Sequence, residues 1–567
     1  MVFLLVVLGI VIAAVILGLM FLPALIDESA IIDLAQEQVR KATGGELRVE
    51  GGVEISLFPT FVLKLGDTSV DMPPQGDGGS RILAEIQSVD VGLSILGVLM
   101  GTDEFGDVIL NDTDVTLFDE LGKPATQIRV STLKAQRLNL SNNPMGLEGA
   151  VEIVNAAGGE PIAITFDGDV RVPEALDMIT LDALNTKVTG ALTQPINSAL
   201  SGAVTLTPLR ADLDLLLNLP GGDVRGDMIY AALESPQIDL NFNADRLDLD
   251  QIQPAGGKDA QTTQASEKPD PKAPPIPVAV GPLRDLDMRL AINAGSLLTA
   301  GQEITNAQVL LRVLNGITDI KYVRGVMHEG QLDTTMQIDV REPVIKATVA
   351  GSLKGFELNS LLTSVGSSDT AAGYVDMDWD LATQGTTPAA LQQKIDGDLH
   401  LSGRNVELTS LSVQDLMCQA IAQANQESLS KPMPTTTKVS ALGMIVDFGD
   451  GKARLSSVDL ATPGVELNGK GEADLQSMNF SARITAKVGE ALSQLDPACR
   501  VNERYSSMDW PVNCSGNLLS EDQQACKVDV DSILQQLLEY EARNQLQKQA
   551  EKLGEKAGSA LKKLFGN

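Results

Sequence analysis

Glu46 to Leu65 reads ELRVEGGVEISLFPTFVLKL. Leu47, Val49, Val53, Ile55 and Leu57 alternate with polar residues, Gly51-Gly52 offers a turn, and Pro59 breaks the run. A period of two with turn residues between runs predicts short strands with one apolar face.

The same pattern recurs along the chain. Ile86–Leu93 is IQSVDVGL, Val108–Leu117 is VILNDTDVTL and Phe480–Val488 is FSARITAKV. Ile238, Leu240 and Phe242 share one face of IDLNF, with Asp239, Asn241 and Asn243 on the other. In VDMDWDL, Val375, Met377, Trp379 and Leu381 face away from Asp376, Asp378 and Asp380. The reading is a mainly β protein of one-sided antiparallel sheet. Such a sheet must cover its apolar face. A second sheet would do so in a sandwich. Alternatively, the face lines a groove for acyl chains, with Val49, Val53, Ile55, Leu57, Ile238, Leu240, Phe242, Val375, Met377, Trp379 and Leu381 as lining. Each lipid CH₂ buried there would gain about 0.8 kcal/mol.

Ahead of the first strand, Glu28–Lys41 predicts a short helix with Ile31, Ile32, Leu34, Ala35 and Val39 on its apolar face, ended by Thr43-Gly44-Gly45. Before that comes VFLLVVLGIVIAAVILGLMFLPALI, Val2 to Ile26, with no charged residue. As a helix it would span about 37 Å, enough for a bilayer core. Val2, Leu5, Ile10, Ile16, Phe21 and Ile26 are read as membrane anchor. A cleaved signal peptide is the competing reading, but the run is long and no small-x-small site follows. Asp27, Glu28 and Asp33 favour a chain that continues outside the cytoplasm.

Pro254–Pro277, PAGGKDAQTTQASEKPDPKAPPIP, has no large aliphatic residue before Ile276. It reads as a flexible linker. The expected organisation is an anchor at 1–26, a β region at 27–253, the linker at 254–277, a second β region at 278–527 and an amphipathic helix at 528–567. DRLDLDQIQP (245–254), KGFELNSLL (354–362) and RNVELTSLSV (404–413) echo one another and predict a repeated strand followed by a short helix. In the final segment Asp529 can cap a helix whose stripe runs through Ile533, Leu537, Leu546 and Leu553. Its distal part carries Lys548, Lys552, Lys556, Lys562 and Lys563. Val528–Tyr540 is read as a lid, and these lysines as contacts to lipid headgroups.

The chain has 567 residues and a net charge of -32, from 43 basic and 75 acidic side chains. That length implies more than one core. The charge argues against nucleic acid, whose phosphates it repels. Aromatics are only 3% and glycines number 51, as expected of many short aliphatic strands joined by turns. Cys418, Cys499, Cys514 and Cys526 lie in the last third. Their even number beyond an anchor predicts two disulfides. Free thiols and zinc are the alternatives, the latter weakened by the absence of any C-x-x-C. Of three connectivities, Cys499–Cys514 closing a hairpin with Cys418–Cys526 tying two helices is preferred.

Catalysis finds little support. His328 and His400 are far apart in sequence, and Asp376, Asp378 and Asp380 share a strand's outer face without a calcium loop. No Gly-rich phosphate loop, G-x-S-x-G or H-E-x-x-H occurs. No enzyme activity, cofactor or metal is expected.

TGGELRVEGGVEISLFPTFVLKL (43–65), after an apolar run and a short helix, resembles the start of the AsmA family of envelope proteins. Gly44, Gly51 or Gly52, Ser56, Leu57 and Pro59 fall on its pattern. SVDVGLSILGVLMG (88–101), VRGVMHEGQL (323–332), VAGSLKGFELNSLL (349–362), DGDLHLSGRNVELTSLSVQDLMCQAIAQAN (396–425) and LKKLFGN (561–567) resemble later segments, so the likeness covers nearly the whole chain. One departure is the absence of basic residues before the apolar run. The resemblance implies a protein anchored in the inner membrane of a Gram-negative bacterium, with its bulk in the periplasm. It implies a role in outer-membrane biogenesis and phospholipid movement. The implied fold is an elongated, curved β groove of the bridge-like lipid-transfer type. Phospholipid acyl chains and the inner membrane are the expected partners, with the outer membrane or a partner there meeting the C-terminal end. The alternative is a non-catalytic periplasmic scaffold assisting outer-membrane protein or lipopolysaccharide assembly.

Overall fold

The computed structural model describes residues 32–33, 36–37, 39–40, 44–56, 61–74, 81–93, 106–119, 122–139, 141–155, 161–175, 177–232, 237–253, 287–364, 370–409, 412–517 and 520–565. The Val2–Ile26 anchor, Leu57 and the Pro254–Pro277 linker lie outside them. Among the described residues there are 27 strands, and no helix is long and apolar enough to cross a membrane. The expected mainly β class is correct, and the strands run longer than their apolar cores: Ile82–Leu93, Gln237–Asp248 and Ala371–Gly385.

The strands fall into two compact units. In the first, Glu46–Val49 and Val53–Ser56 both pair antiparallel with Phe61–Met72. Gly51-Gly52 is therefore not the hairpin turn its sequence offers. It is a break within one edge, and the reason is contact between backbones. A Cβ on Gly51 would sit 2.5 Å from the Asp67 nitrogen, and one on Gly66 would sit 2.9 Å from the Gly51 carbonyl oxygen. From Phe61–Met72 the chain meanders through antiparallel neighbours to Gln237–Asp248.

Four of these strands share a step that simple alternation does not contain. Leu65 and Thr68, Ile86 and Val89, Leu110 and Thr113, and Val130 and Leu133 are buried pairs three residues apart rather than two. The pairing frame from Phe61–Met72 to Pro124–Gln136 continues on either side of the step. The strands therefore slip together, and each keeps its aliphatic side inward. Asp112 lies on that line with a φ of 39°. A one-residue slip in a single strand would have turned its apolar set outward.

Asp287–Thr299 pairs parallel with Gln237–Asp248, in register from Gln237↔Asp287 to Asp248↔Leu298. This is an exception to the expected antiparallel sheet. A parallel pair needs a crossover rather than a tight turn, and residues 249–286 connect these strands.

The second unit meanders from Gln302–Leu314 to Ser520–Val528. Asn315-Gly316 and Asp450-Gly451 form two-residue hairpin turns with both φ values positive, the geometry that matches strand twist. The repeated strand-then-helix reading holds at all three echoes. Gln237–Asp248 leads into the turn Leu249–Gln251, Ile345–Glu357 into the helix Leu358–Ser364, and Asp396–Leu408 is followed by the helix Val413–Ala424.

The end of this unit is a separate core. Met417, Ile421, Leu492, Tyr505 and Trp510 pack there with Val488 and Val512. The Trp510 indole donates to the Tyr505 carbonyl oxygen at 3.1 Å, and the Tyr505 hydroxyl donates to Asn425 at 2.7 Å. All four cysteines are bonded, but not in the preferred pairing. Cys418 joins Cys499, and Cys514 joins Cys526. The correction has a geometric cause. Cys514 and Cys526 face each other across neighbouring strands, with Cα atoms 4.1 Å apart, while the helix carrying Cys418 packs on the turn Pro497–Cys499.

Candidate apolar groove

The second unit brings the predicted lining residues into ladder rows. One row runs through Leu353, Met377, Leu401, Met444 and Val458, each paired with the next. The adjacent row runs through Gly351, Trp379, Leu399, Val446 and Leu455. Val349 and Leu381 begin a third. On the reverse face Asp378 lies opposite His400. Lys354 contacts Asp378 at 2.5 Å, and His400 contacts Asp398 at 3.0 Å. The three aspartates of this strand therefore serve the solvated face, as their spacing predicted.

Met377, Trp379, Leu381, Leu399, Leu401, Met444 and Val446 are half-buried. The rows close at one end. Leu353 and Phe356 are 0% exposed and Val375 is 1% exposed, and a Cβ on Gly330 would lie 2.7 Å from Phe356. The result is an apolar face sealed at Phe356 and half-open beyond Met377. None of these row residues is fully exposed, and none beyond Met377 is fully buried.

In the first unit Ile238, Leu240 and Phe242 are half-buried. They pair with Tyr230, Met228 and Gly226 on one side and with Met288, Leu290 and Ile292 on the other. Val53 instead packs on a sealed core that includes Leu63, Leu65, Val89 and Leu110. Val49 packs with Val39, Leu47 and Val70. Ile55 is placed opposite Leu63 by its register. The early strands thus cover their apolar faces with one another's side chains, and alternation alone does not separate sealed from half-open stretches.

The C-terminal helix is Val530–Phe565. Asp529 receives the Ser532 backbone N–H at 3.1 Å and its hydroxyl at 2.9 Å. The Ser532 N–H, first among these bonds, holds the Asp529 carboxyl below its usual range. Ile533 and Leu537 enter the terminal core. Leu538, Leu546 and Leu553 are 67–68% exposed. Lys548, Lys552 and Lys556 are exposed as well, and Lys562 and Lys563 belong to the same helix.

A long, open, almost wholly antiparallel sheet of hairpin-linked strands, punctuated by short helices, defines this as a mainly β protein. The AsmA family model matches residues 1–156 and 211–459. The chain belongs to the AsmA family, a membership that ties it to outer-membrane assembly or lipid transport. No curated protein matches it.

Proposed function

We propose that this chain is anchored in the inner membrane by Val2–Ile26, projects into the periplasm, and guides phospholipids between the inner and outer membranes along its apolar face. The observation that carries this reading is the pair of half-open rows through Met377–Leu401–Met444 and Trp379–Leu399–Val446. An acyl chain lying across them would meet similar aliphatic surroundings every ~4.8 Å, the strand spacing. Each CH₂ removed from water gains about 0.8 kcal/mol, so binding needs no polar group at depth and movement along the rows changes little. Acyl chains are the cargo, and no catalytic step, cofactor, metal or nucleic acid enters the reading.

The test is photo-crosslinking in the full chain. A benzophenone side chain at Leu399 or Leu401 is expected to capture phospholipid in cells, and one at outward-facing His400 is not. Equal capture at all three, or none at the inward pair, would sink the proposal. The exposed Leu538, Leu546 and Leu553 of the terminal helix favour a second reading, a non-catalytic periplasmic scaffold for outer-membrane protein or lipopolysaccharide assembly. Absence of lipid at the inward positions would leave that one standing.

A further inference from the structure

The chain is strongly acidic, yet three arginines converge beside its first strand. A cavity of about 710 Å³ is lined by Arg40, Arg48 and Arg81, with Glu46, Asp71 and Leu47. The main chain brings them together. Gly44, with a φ of 71°, donates to the Arg40 carbonyl oxygen at 3.0 Å and turns the chain out of its helix. Antiparallel pairing then sets Glu46 against Asp71 and Arg48 against Ser69.

The ion pairs inside the cavity do not exhaust its donors. Arg81 spends Nε and Nη2 on the two Asp71 oxygens, at 2.9 and 2.6 Å, and its guanidinium stacks 4.9 Å from the Phe118 ring centroid. Arg48 spends Nε on Glu46 at 3.3 Å. Arg40 makes no ion pair among the described residues. A guanidinium carries five N–H donors in a planar fork suited to phosphate oxygens. Three arginines against two carboxylates leave one net positive charge, the complement of a phosphodiester. Leu47 on the wall gives the cavity an apolar side.

We propose that Arg40, Arg48 and Arg81 hold the phosphodiester of a phospholipid headgroup where lipid enters the first unit. The assignment rests on the lipid-guiding reading above, and it gives that reading a polar entrance close in sequence to the Val2–Ile26 run. A soluble phosphate would satisfy the same donors, so the experiment must tell the two sources apart.

The experiment uses the full chain in phosphatidylcholine–phosphatidylglycerol nanodiscs, with a benzophenone side chain at Pro73 on the cavity wall. Mass spectrometry after irradiation should show a phospholipid adduct. The R40Q/R48Q/R81Q variant should reduce it at least fivefold, and the corresponding triple lysine variant should restore part of it. R40Q alone breaks no ion pair among the described residues and should reduce the adduct about twofold in a chain that folds normally. An undiminished adduct in the glutamine variants overturns the proposal. So does inorganic phosphate binding, measured by calorimetry, without any lipid adduct at Pro73. A parallel probe at Leu401 separates the two ideas. In the unsubstituted chain, no adduct at Pro73 with capture intact at Leu401 defeats the entrance, whereas no adduct at Leu401 with capture intact at Pro73 defeats the groove.

Discussion

Trp379 lies directly opposite Leu399 across the antiparallel pairing of Ala371–Gly385 with Asp396–Leu408, and both remain half-open to water. Their neighbours Asp378 and His400 oppose each other on the reverse face. One strand pair thus separates a solvated side from an apolar side, and a substitution can be aimed at either.

Trp379→Asp should put a charge on the apolar rows. Phospholipid retained by the full chain is expected to fall about tenfold, about 1.4 kcal/mol of binding. Asp378→Asn, on the outer face, should leave retention within twofold. Lipid phosphorus per mole of purified protein checks both.

The disulfides should differ in worth. Cys418–Cys499 closes a loop with a sequence separation of 81, and Cys514–Cys526 one of 12. The loop-entropy relation gives about 4.5 kcal/mol for the first and about 2.8 kcal/mol for the second. Urea unfolding of C418A/C499A should show the larger loss. The opposite ranking would mean that native-state packing, not loop closure, dominates.

Asp496 is fully buried and accepts hydrogen bonds from the Ala498, Ser430 and Lys431 backbone and from the Ser430 hydroxyl, all at 2.8 Å. The Ala498 N–H leads in holding its pKa down at about 2, from 3.8. Because the folded carboxyl titrates below the unfolded one, its contribution is full above pH 4 and is lost as pH falls toward 2. Melting temperatures between pH 2 and 6 should therefore drop more for wild type than for Asp496→Asn, which is less stable at pH 6 and flatter below it.

Gly66→Ala should cost about 1–3 kcal/mol, because the new methyl meets backbone rather than a side chain that can move. Gly554→Ala, with open space around its Cβ, should be neutral or slightly stabilising in the exposed helix. Paired thermal melts of the two variants check the contrast.

Much of the sheet was legible because its signal is local. Val375, Met377, Trp379 and Leu381 alternate with three aspartates, and the strand follows directly. Asn315-Gly316 and Asp450-Gly451 also announced hairpins, a signal that sequence reading left unused. The joint slip at Leu65–Thr68 and Leu110–Thr113 was not legible, since one strand's step keeps its face only if its neighbours step too. Cysteine pairing is likewise a matter of which strand lies beside which. Trp379 and Trp510 sit in similar words, DMDW and MDWPV, yet one stands in the half-open rows and the other is fully buried. The arginine cavity joins residues from three separate stretches, which no linear motif records.

The most direct test of the central claim is lipid capture at Leu399 and Leu401 against His400, in full chain expressed in cells. Phospholipid adducts at the two inward positions, with His400 at background, are the predicted result. Equal labelling of all three, or none, would contradict an acyl-chain path along this face.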